Sequence, residues 1–193
     1  IYVTVMGEGL GQSLLTRSAA RVGDKIAVTG YLGSAAAGLR MLHKNLQFDP
    51  EATTYLRQAF LRPQPRIAEG QLLIKAGVRA AIDISDGLVA DLTHVCRRSQ
   101  VSARVEMERV PIAPAVRTHF RQKSRELALS GGEDYELLFT APAPTVERTM
   151  KTAPCPITVI GEITKSDIIG VTVVDRKGNP LHLDKAGWEH FTT

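Results

Sequence analysis

Short stretches of the chain alternate apolar and polar residues, and longer stretches repeat apolar residues every three or four positions. The first pattern is typical of strands with one buried face, and the second is typical of helices that pack on a core. The predicted strands cover residues 1–6, 26–29, 78–85, 102–107, 135–141, 157–163 and 170–175. One predicted helix begins at residue 34, and others cover residues 51–60, 65–76, 86–99, 114–120 and 146–151. Strands and helices are interleaved, so the expected fold class is α/β or α+β, with helices flanking a mixed β-sheet.

The first predicted strand has no partner before it in the chain. The stretch "IYVTVMG" alternates from its first residue, and an isolated strand is not stable in water. We therefore expect residues 1–20 to be the last strand and the linker of a missing amino-terminal domain. The remaining residues, 21–193, are then expected to form one domain, because their number lies in the common range for a single domain.

Composition and charge argue against several classes of protein. No apolar run approaches the roughly 20 residues that a transmembrane helix needs, and no signal sequence is recognisable, so we expect an intracellular, soluble protein. Cys96 and Cys155 lie far apart without metal-ligand spacing, which favours two buried thiols in a reducing compartment. The net charge is +4, yet Lys and Arg are scattered and aromatic residues make up only 5% of the chain. A phosphorylated small molecule therefore fits this chain better than nucleic acid.

The stretch "IDISDGLVADL" carries two carboxylates, Asp83 and Asp86, where a predicted strand ends and a helix follows. Paired carboxylates at such a position serve as magnesium ligands, as general acid and base, or as helix caps. A capping role would explain Asp86, because an acidic side chain satisfies free amides at a helix start. Capping gives no reason for Asp83, which interrupts the apolar alternation. Asp91, further along, faces solvent or supports this site, and His94 fits a helix surface better than a metal ligand.

A second stretch, "LALSGGEDYELLFTA", places Gly131, Gly132, Glu133 and Asp134 directly before a strand. Tandem glycines allow a positive φ or a close approach of the backbone to a ligand, and carboxylates beside them bind donor-rich ligands or hydrated cations. A hairpin or bulge with solvated acids is the alternative.

The glycine-rich stretch "TGYLGSAAAG" leads into the helix that Ser34 is expected to cap. It could cradle a phosphate, but it lacks the Lys-Ser/Thr ending of a P-loop, and packing of the helix on the sheet explains it equally well. Pro65 is expected in the first turn of a later helix.

Several stretches together resemble the carboxyl-terminal part of the thiamine-monophosphate kinase family. They are, in family order, "RSAARVGDKIAVTGYLGSAAAGL", "RPQPRIAEG", "AAIDISDGLVADLTHVC", "LSGGEDYELLFT" and the terminal "GWEHF". This family lies in the superfamily of aminoimidazole ribonucleotide synthetase, selenophosphate synthetase and the hydrogenase maturation protein HypE. The resemblance implies that residues 21–193 are the carboxyl-terminal domain that binds ATP and substrate. It also implies an amino-terminal domain that forms a homodimer and supplies further magnesium ligands.

The resemblance assigns roles to particular residues of this chain. Asp83 and Asp86 match magnesium-binding aspartates, and Ser85 and Arg17 match residues that contact ATP. Two further matches are to substrate-contacting positions, Glu133 and the aromatic Trp188. At Ser34 the family pattern would have aspartate, and since both residues cap helices this departure leaves the assignment intact.

The activity implied by the resemblance is transfer of the terminal phosphoryl group of ATP to thiamine phosphate, which yields thiamine diphosphate and ADP. Mg²⁺ is the implied cofactor, ATP is the co-substrate, and the location is the cytoplasm, without nucleic acid or membrane partners. The attacking phosphate is already ionised near neutral pH, so positioning and charge neutralisation matter more than a strong general base. Without the amino-terminal domain, we expect this chain to be inactive.

Two other functions are compatible with parts of the sequence. A sister enzyme of the superfamily, selenophosphate synthetase-like or HypE-like, would activate a different substrate with ATP, but "GGEDYELLF" and the terminal Trp188 favour thiamine phosphate. A non-catalytic module that binds nucleic acid would show salt-dependent oligonucleotide binding and indifference to magnesium and ATP. The scattered basic residues argue against this second alternative.

Overall fold

The computed structural model describes residues 3–6, 14–182 and 187 of the chain. Its strands are β1 (Lys25–Thr29), β2 (Ala80–Asp83), β3 (Ser102–Glu106), β4 (Leu137–Ala141), β5 (Ile157–Thr164) and β6 (Val171–Val174). Its α-helices are α1 (Ser34–His43), α2 (Pro50–Leu61), α3 (Ile67–Lys75), α4 (Leu88–Ser99), α5 (Pro114–Phe120), α6 (Lys123–Ser130) and α7 (Ala143–Thr152). A short 3-10 helix, Met107–Arg109, follows β3.

The six strands form one mixed sheet in the order β2-β4-β1-β5-β3-β6. Strand β4 is antiparallel to both β1 and β2, which therefore run in the same direction and end at the same edge of the sheet. Only β3 and β6 pair in parallel among the described strands. The predicted fold class, a mixed sheet flanked by helices, is confirmed.

Helices cover both faces of the sheet with two separate apolar cores. The larger core joins Ile26, Ile82 and Leu138 of the sheet to residues of α1, α2, α4, α5 and α6. The smaller core joins Ala27 and Phe139 to residues of α3 and α7. Alternate residues of a strand point to opposite faces, so neighbours such as Ile26 and Ala27 belong to different cores. The sheet is thereby held rigidly between helices, and its strand ends carry the site described below.

Two expectations about helix starts are wrong. Ser34 does not cap α1, because it is the first residue of the helix and Gly33 occupies the cap position. The carboxylate of a residue distant in the chain bonds to the amides there instead, as the next section shows. Pro65 is not in the first turn of α3, which begins at Ile67 after Arg66. Helix α6 was not predicted, because its short sequence was assigned to the approach to the glycine pair.

The strand predicted over residues 1–6 is not formed within the described part of the chain. Residues 3–6 carry no secondary structure, and the side chains of Val3, Val5 and Met6 are largely exposed. The domain boundary placed at residue 20 stays a prediction. No helix in the described ranges is both long and apolar enough to cross a bilayer. Cys96 and Cys155 are free thiols, as expected, but only Cys96 is buried, and Cys155 is partly exposed.

Candidate active site

Two segments that are distant in the chain run side by side where β1 and β2 end. Asp83 is the last residue of β2, and beyond it the chain turns into α4. The amide of Tyr135 donates to the carbonyl oxygen of Ile84 at 2.9 Å, and the amide of Glu133 donates to that of Ser85 at 2.9 Å. The motifs "DISDG" and "GGEDYE" therefore form one continuous surface.

The glycine pair is explained by this contact. A Cβ atom on Gly132 would lie 2.2 Å from the carbonyl oxygen of Ser85, closer than two such atoms can approach. Neither a close approach to a ligand nor a hairpin or bulge explains Gly132. The backbone of the turn after β2 lies against it instead. Positive φ angles occur instead at Glu133, 69°, and Tyr135, 50°. These two residues reverse the local direction of the chain and separate the side chains of the segment into two groups.

Asp134 points into the fold. Its carboxylate accepts hydrogen bonds from the amides of Gly33 at 2.6 Å and Ala35 at 3.1 Å, so it satisfies the start of α1. Burial raises the pKa of Asp134 to about 7, although the amide hydrogen bonds act in the opposite direction. The start of α1 is thus satisfied by a side chain from the segment before β4, which lies at the same end of the sheet but about 100 residues later in the chain.

Glu136 points to the same side as Asp134. Its carboxylate accepts hydrogen bonds from Thr29 Oγ1 at 2.6 Å, Arg66 Nε at 2.7 Å and Arg66 Nη2 at 2.6 Å. The fork of the guanidinium matches the two carboxylate oxygens, and this pairing raises the pKa of Arg66. Because both groups are largely buried, this ion pair fixes the segment that leads into β4.

Glu133 and Tyr135 point the other way, towards the turn that follows β2. The Tyr135 hydroxyl donates to Glu133 Oε2 at 3.2 Å. Burial raises the pKa of Tyr135, and the negative charges of Glu133, Asp83 and Asp86 raise it further. The carboxylates of Glu133, Asp83 and Asp86, all singled out in the sequence, therefore raise the pKa of the same Tyr135 hydroxyl at one end of the sheet.

A cavity of about 650 Å³ opens beside these groups. One wall is apolar, and the other carries the polar groups of the two motifs. The lining residues are Ala35, Ala36 and Leu39 of α1, Phe60 of α2, and Ser85, Asp86, Gly132, Glu133 and Tyr135. An apolar surface beside carboxylate and hydroxyl groups suits a ligand that combines an apolar ring with hydrogen-bond donors or a bound cation.

The carboxylates around this cavity fit a hard divalent cation. Mg²⁺ prefers oxygen ligands and is held in many phosphoryl-transfer sites by one or two carboxylates together with substrate phosphates. Asp86, Asp91 and His94 also place one possible ligand atom each within 4.8 Å of one another. His94 is exposed on α4, in line with the helix-surface interpretation. Asp83 and Asp86 stay predicted ligands, since their donor types and placement match but no ion is described.

Asp91 is a site residue that the sequence analysis left undecided. Its side chain is 2% exposed, so it does not face solvent. Its Oδ2 atom accepts hydrogen bonds from the amides of Ser85, Asp86 and Gly87 at 3.0, 3.0 and 3.1 Å. A signal was present in the sequence, because Asp91 lies on the same helical face as Leu88 and Val95, where a charged residue needs a partner.

Arg17 is placed away from the carboxylates. The neighbouring Thr16 forms a bridge with Ala80, at the start of β2, and the carbonyl oxygen of Arg17 accepts a hydrogen bond from Ser99 at 3.1 Å. Asp83 lies three residues further along β2, or about 10 Å at roughly 3.3 Å per residue. The exposed Arg17 side chain is thus beside the opposite end of the strand, and its contact with ATP stays a prediction.

Trp188 lies outside the described residues. Gly187, which is described, approaches the turn after β2: a Cβ atom there would lie 2.7 Å from the carbonyl oxygen of Asp86. The substrate contact predicted for Trp188 stays a prediction.

Comparison with known protein families gives a match over most of the domain. The family model for the C-terminal domain of AIR synthase related proteins matches residues 21–174. The chain is 42% identical to the thiamine-monophosphate kinase of Escherichia coli strain K12 over 184 residues, which is 93% of this chain and 56% of that protein. It is 36% identical to the thiamine-monophosphate kinase of Haemophilus influenzae, covering 99% of this chain and 60% of that protein. The chain thus spans a little over half the length of these curated relatives.

Solved structures show the same similarity. Thiamine-monophosphate kinase from Stenotrophomonas maltophilia superposes with a TM-score of 0.77 at 38% identity, over 86% of this chain and 54% of that one. AaThiL complexed with AMPPCP and TMP superposes with a TM-score of 0.77 at 35% identity, over 92% of this chain and 54% of that one. Escherichia coli HypE, at 19% identity and a TM-score of 0.71, shares the fold.

Proposed function

The chain belongs to the family of AIR synthase related proteins through their C-terminal domain, and from this we propose that it is the ATP- and substrate-binding part of a thiamine-monophosphate kinase. The observation that carries the proposal is the hydrogen-bonded pairing of the two motifs, which brings Ser85, Asp86 and Glu133 to one cavity. Similarity to thiamine-monophosphate kinases supports it, because it extends over nearly the whole chain. The similarity to HypE is too distant to favour that activity over this one.

In the proposed reaction, the terminal phosphoryl group of ATP moves to the phosphate of thiamine phosphate. Ser85, in the turn after β2, would donate a hydrogen bond from its hydroxyl to an oxygen of the nucleotide. Glu133 would accept hydrogen bonds from the amino group of the pyrimidine ring, and Trp188 would stack on one of the two rings of thiamine. The apolar wall formed by Ala35, Ala36, Leu39 and Phe60 would exclude water from the bound ring.

Asp83 and Asp86 would hold Mg²⁺, which offsets repulsion between the two polyanions and aligns them for in-line transfer. The phosphate that attacks is ionised near neutral pH, so no residue of this chain needs to remove a proton from it. These residues would therefore position ATP and thiamine phosphate and, with the metal ion, neutralise their negative charge.

The remaining contacts are proposed to come from an amino-terminal domain joined near residue 20. The relatives are longer than this chain, which covers 56% of the Escherichia coli protein. Arg17, close to that boundary, would reach ATP in the complete enzyme. A homodimer formed through the amino-terminal domain and a cytoplasmic location complete the proposal.

A chimera tests this function. The chain would be fused to the part of the Escherichia coli kinase that its match does not cover, and thiamine diphosphate would be measured by chromatography with magnesium, ATP and thiamine phosphate. We expect turnover by the chimera and a loss on the order of 100-fold in Asp83→Asn and Asp86→Asn, because each removes a charge that stabilises the transferring phosphoryl group.

Asp24→Asn provides the matched control. Asp24 is a buried turn aspartate at the opposite end of the sheet, so its replacement perturbs the fold without touching the site. Activity like that of the unaltered chimera in both Asp83→Asn and Asp86→Asn would reject the magnesium assignment. A well-folded chimera that makes no thiamine diphosphate would reject the proposed activity.

A further inference from the structure

Three successive amides converge on one oxygen atom in the turn that follows β2. The amides of Ser85, Asp86 and Gly87 all donate to Asp91 Oδ2 at 3.0 to 3.1 Å. Gly87 has a φ of 124°, which allows the third amide to turn in the same direction as the first two. Successive amides arranged in this way form a concave site for an anion. Here the anion is a side chain of the protein itself.

The origin of this carboxylate is the helix that the turn leads into. Asp91 lies one turn inside α4, and its own amide donates to the carbonyl oxygen of Gly87 at 2.9 Å. The side chain therefore reaches back over the helix start to residues that precede it. Both ends of the contact belong to one short segment, so the turn and the first turn of α4 form a single rigid unit.

This contact decides which groups of the turn are available to a ligand. The three amides face inwards and are occupied, so a phosphate cannot use them as it uses the free amides of a phosphate-binding loop. The partly exposed side chains of Ser85 and Asp86 line the cavity instead. Any contact between this turn and a nucleotide must therefore be made by side chains whose direction depends on the backbone of the turn.

We infer that Asp91 is a positioning residue for nucleotide binding: it occupies the anion site of the turn and thereby directs Ser85 and Asp86 into the cavity. This inference rests on the proposed function, because it takes the ligand to be ATP with magnesium. Asp91 itself does not contact the ligand. Its replacement should free the three amides, let the turn change shape, and weaken nucleotide binding through residues that are themselves unaltered.

The test measures the turn in this chain and ligand binding in the chimera described above. Amide hydrogen exchange would be followed by NMR in the unaltered chain, in Asp91→Leu, which keeps the size of the side chain without an acceptor, and in Asp91→Asn, which keeps one acceptor oxygen. We expect exchange of the Ser85, Asp86 and Gly87 amides to rise by about tenfold or more in Asp91→Leu and by less in Asp91→Asn. Titration of the chimera and its two Asp91 variants with magnesium and ATP should show a lower affinity in the same order.

Asp24→Asn is again the control, because Asp24 is 7% exposed and accepts a backbone amide, that of Arg21, at 3.0 Å. It should lower stability while the three amides and the ATP affinity stay unchanged.

Unchanged exchange in both Asp91 variants, or an equal loss of ATP affinity in Asp24→Asn, would overturn the inference. If Asp91→Leu does not fold, the amide exchange and the ATP affinity of Asp91→Asn decide between these outcomes. Protected amides in the unaltered chain, together with a folded chimera that shows no response to magnesium and ATP, would instead overturn the proposed function, and the contact of Asp91 with the turn would stand.

Discussion

At the scale of single residues, the segment from Glu133 to Glu136 divides its side chains between two environments. Asp134 and Glu136 are internal partners of a helix start and of Arg66. Glu133 and Tyr135 face the turn that carries Asp83 and Asp86. Neighbouring carboxylates therefore have different roles. Asp134 and Glu136 make internal contacts, and Glu133 is the acidic residue of this segment that lines the cavity.

The inward position of Asp134 predicts a pH dependence of stability. Its folded pKa is about 7, raised by burial, whereas an unfolded aspartate has a pKa of about 3.9. Between these values the folded chain binds a proton that the unfolded chain has lost, so the free energy of unfolding should decrease as pH rises from about 4 to about 7. The stabilising contribution is complete below this range and absent above it.

Urea unfolding of the unaltered chain and Asp134→Asn, from about pH 5 to about pH 8, checks this expectation. The variant cannot ionise, so its free energy of unfolding should rise relative to that of the unaltered chain as pH increases, and the difference should level off above the pKa. A difference that does not change with pH would show that Asp134 is already ionised across this range.

At the scale of elements, the site depends on how closely the approach to β4 packs against the turn after β2. Gly132 makes this packing possible, because any side chain there would collide with the backbone of Ser85. Backbone atoms cannot rotate aside as a side chain can. The separation of the two segments, and with it the position of Glu133, therefore depends on the absence of a single methyl group.

Gly132→Ala should lower the free energy of unfolding by about 1 to 3 kcal/mol, as overpacking in a close contact does. Gly70→Ala is the matched comparison, because the added Cβ atom on α3 would meet only Leu137 Cδ1, at 3.8 Å. Alanine in a helix is favoured over glycine by up to about 1 kcal/mol, so this second variant should be as stable as the unaltered chain or more so. Equal stability of the two variants in urea unfolding would contradict the packing account.

At the scale of the whole molecule, the cavity lies at one end of a sheet that is covered on both faces. Both apolar cores are built from residues after position 14, within the described part of the chain. The fold therefore does not depend on residues 3–6, whose apolar side chains are exposed. The proposed activity is a separate question, because the chain spans a little over half the length of its curated relatives.

We predict that this chain alone folds but makes thiamine diphosphate on the order of 100-fold more slowly than the chimera, or not at all. Asp83 and Asp86 are too few to organise the charges of ATP and a second phosphate. Circular dichroism and urea unfolding would confirm that the chain is folded, and chromatography would measure the product under equal magnesium and ATP. Comparable turnover by the chain and the chimera would show that residues 21–193 suffice.

Much of the fold could be predicted because its signals are local. The short apolar run in "KIAVT", between a turn and a glycine-rich loop, and the apolar spacing from Leu88 to Val95 predicted β1 and α4 within two residues of their bounds. Helix α6 was missed because its apolar positions merge with the glycine-rich segment that follows. The approach of "DISDG" to "GGEDYE" was not predicted, since periodicity carries no information on which strands pair.

The sequence by itself determined the class of the fold, the chemistry of the carboxylates and the resemblance to one family, because composition, period and motif are properties of neighbouring residues. Only the tertiary structure decided that Asp134 bonds to the start of α1, that Glu136 pairs with Arg66 and that Arg17 lies at the far end of β2. It also decided that the Asp91 carboxylate accepts hydrogen bonds from the three amides of the turn after β2. The burial of a polar side chain and the direction in which it points depend on packing between segments that are distant in the chain, and packing of that kind leaves no local pattern.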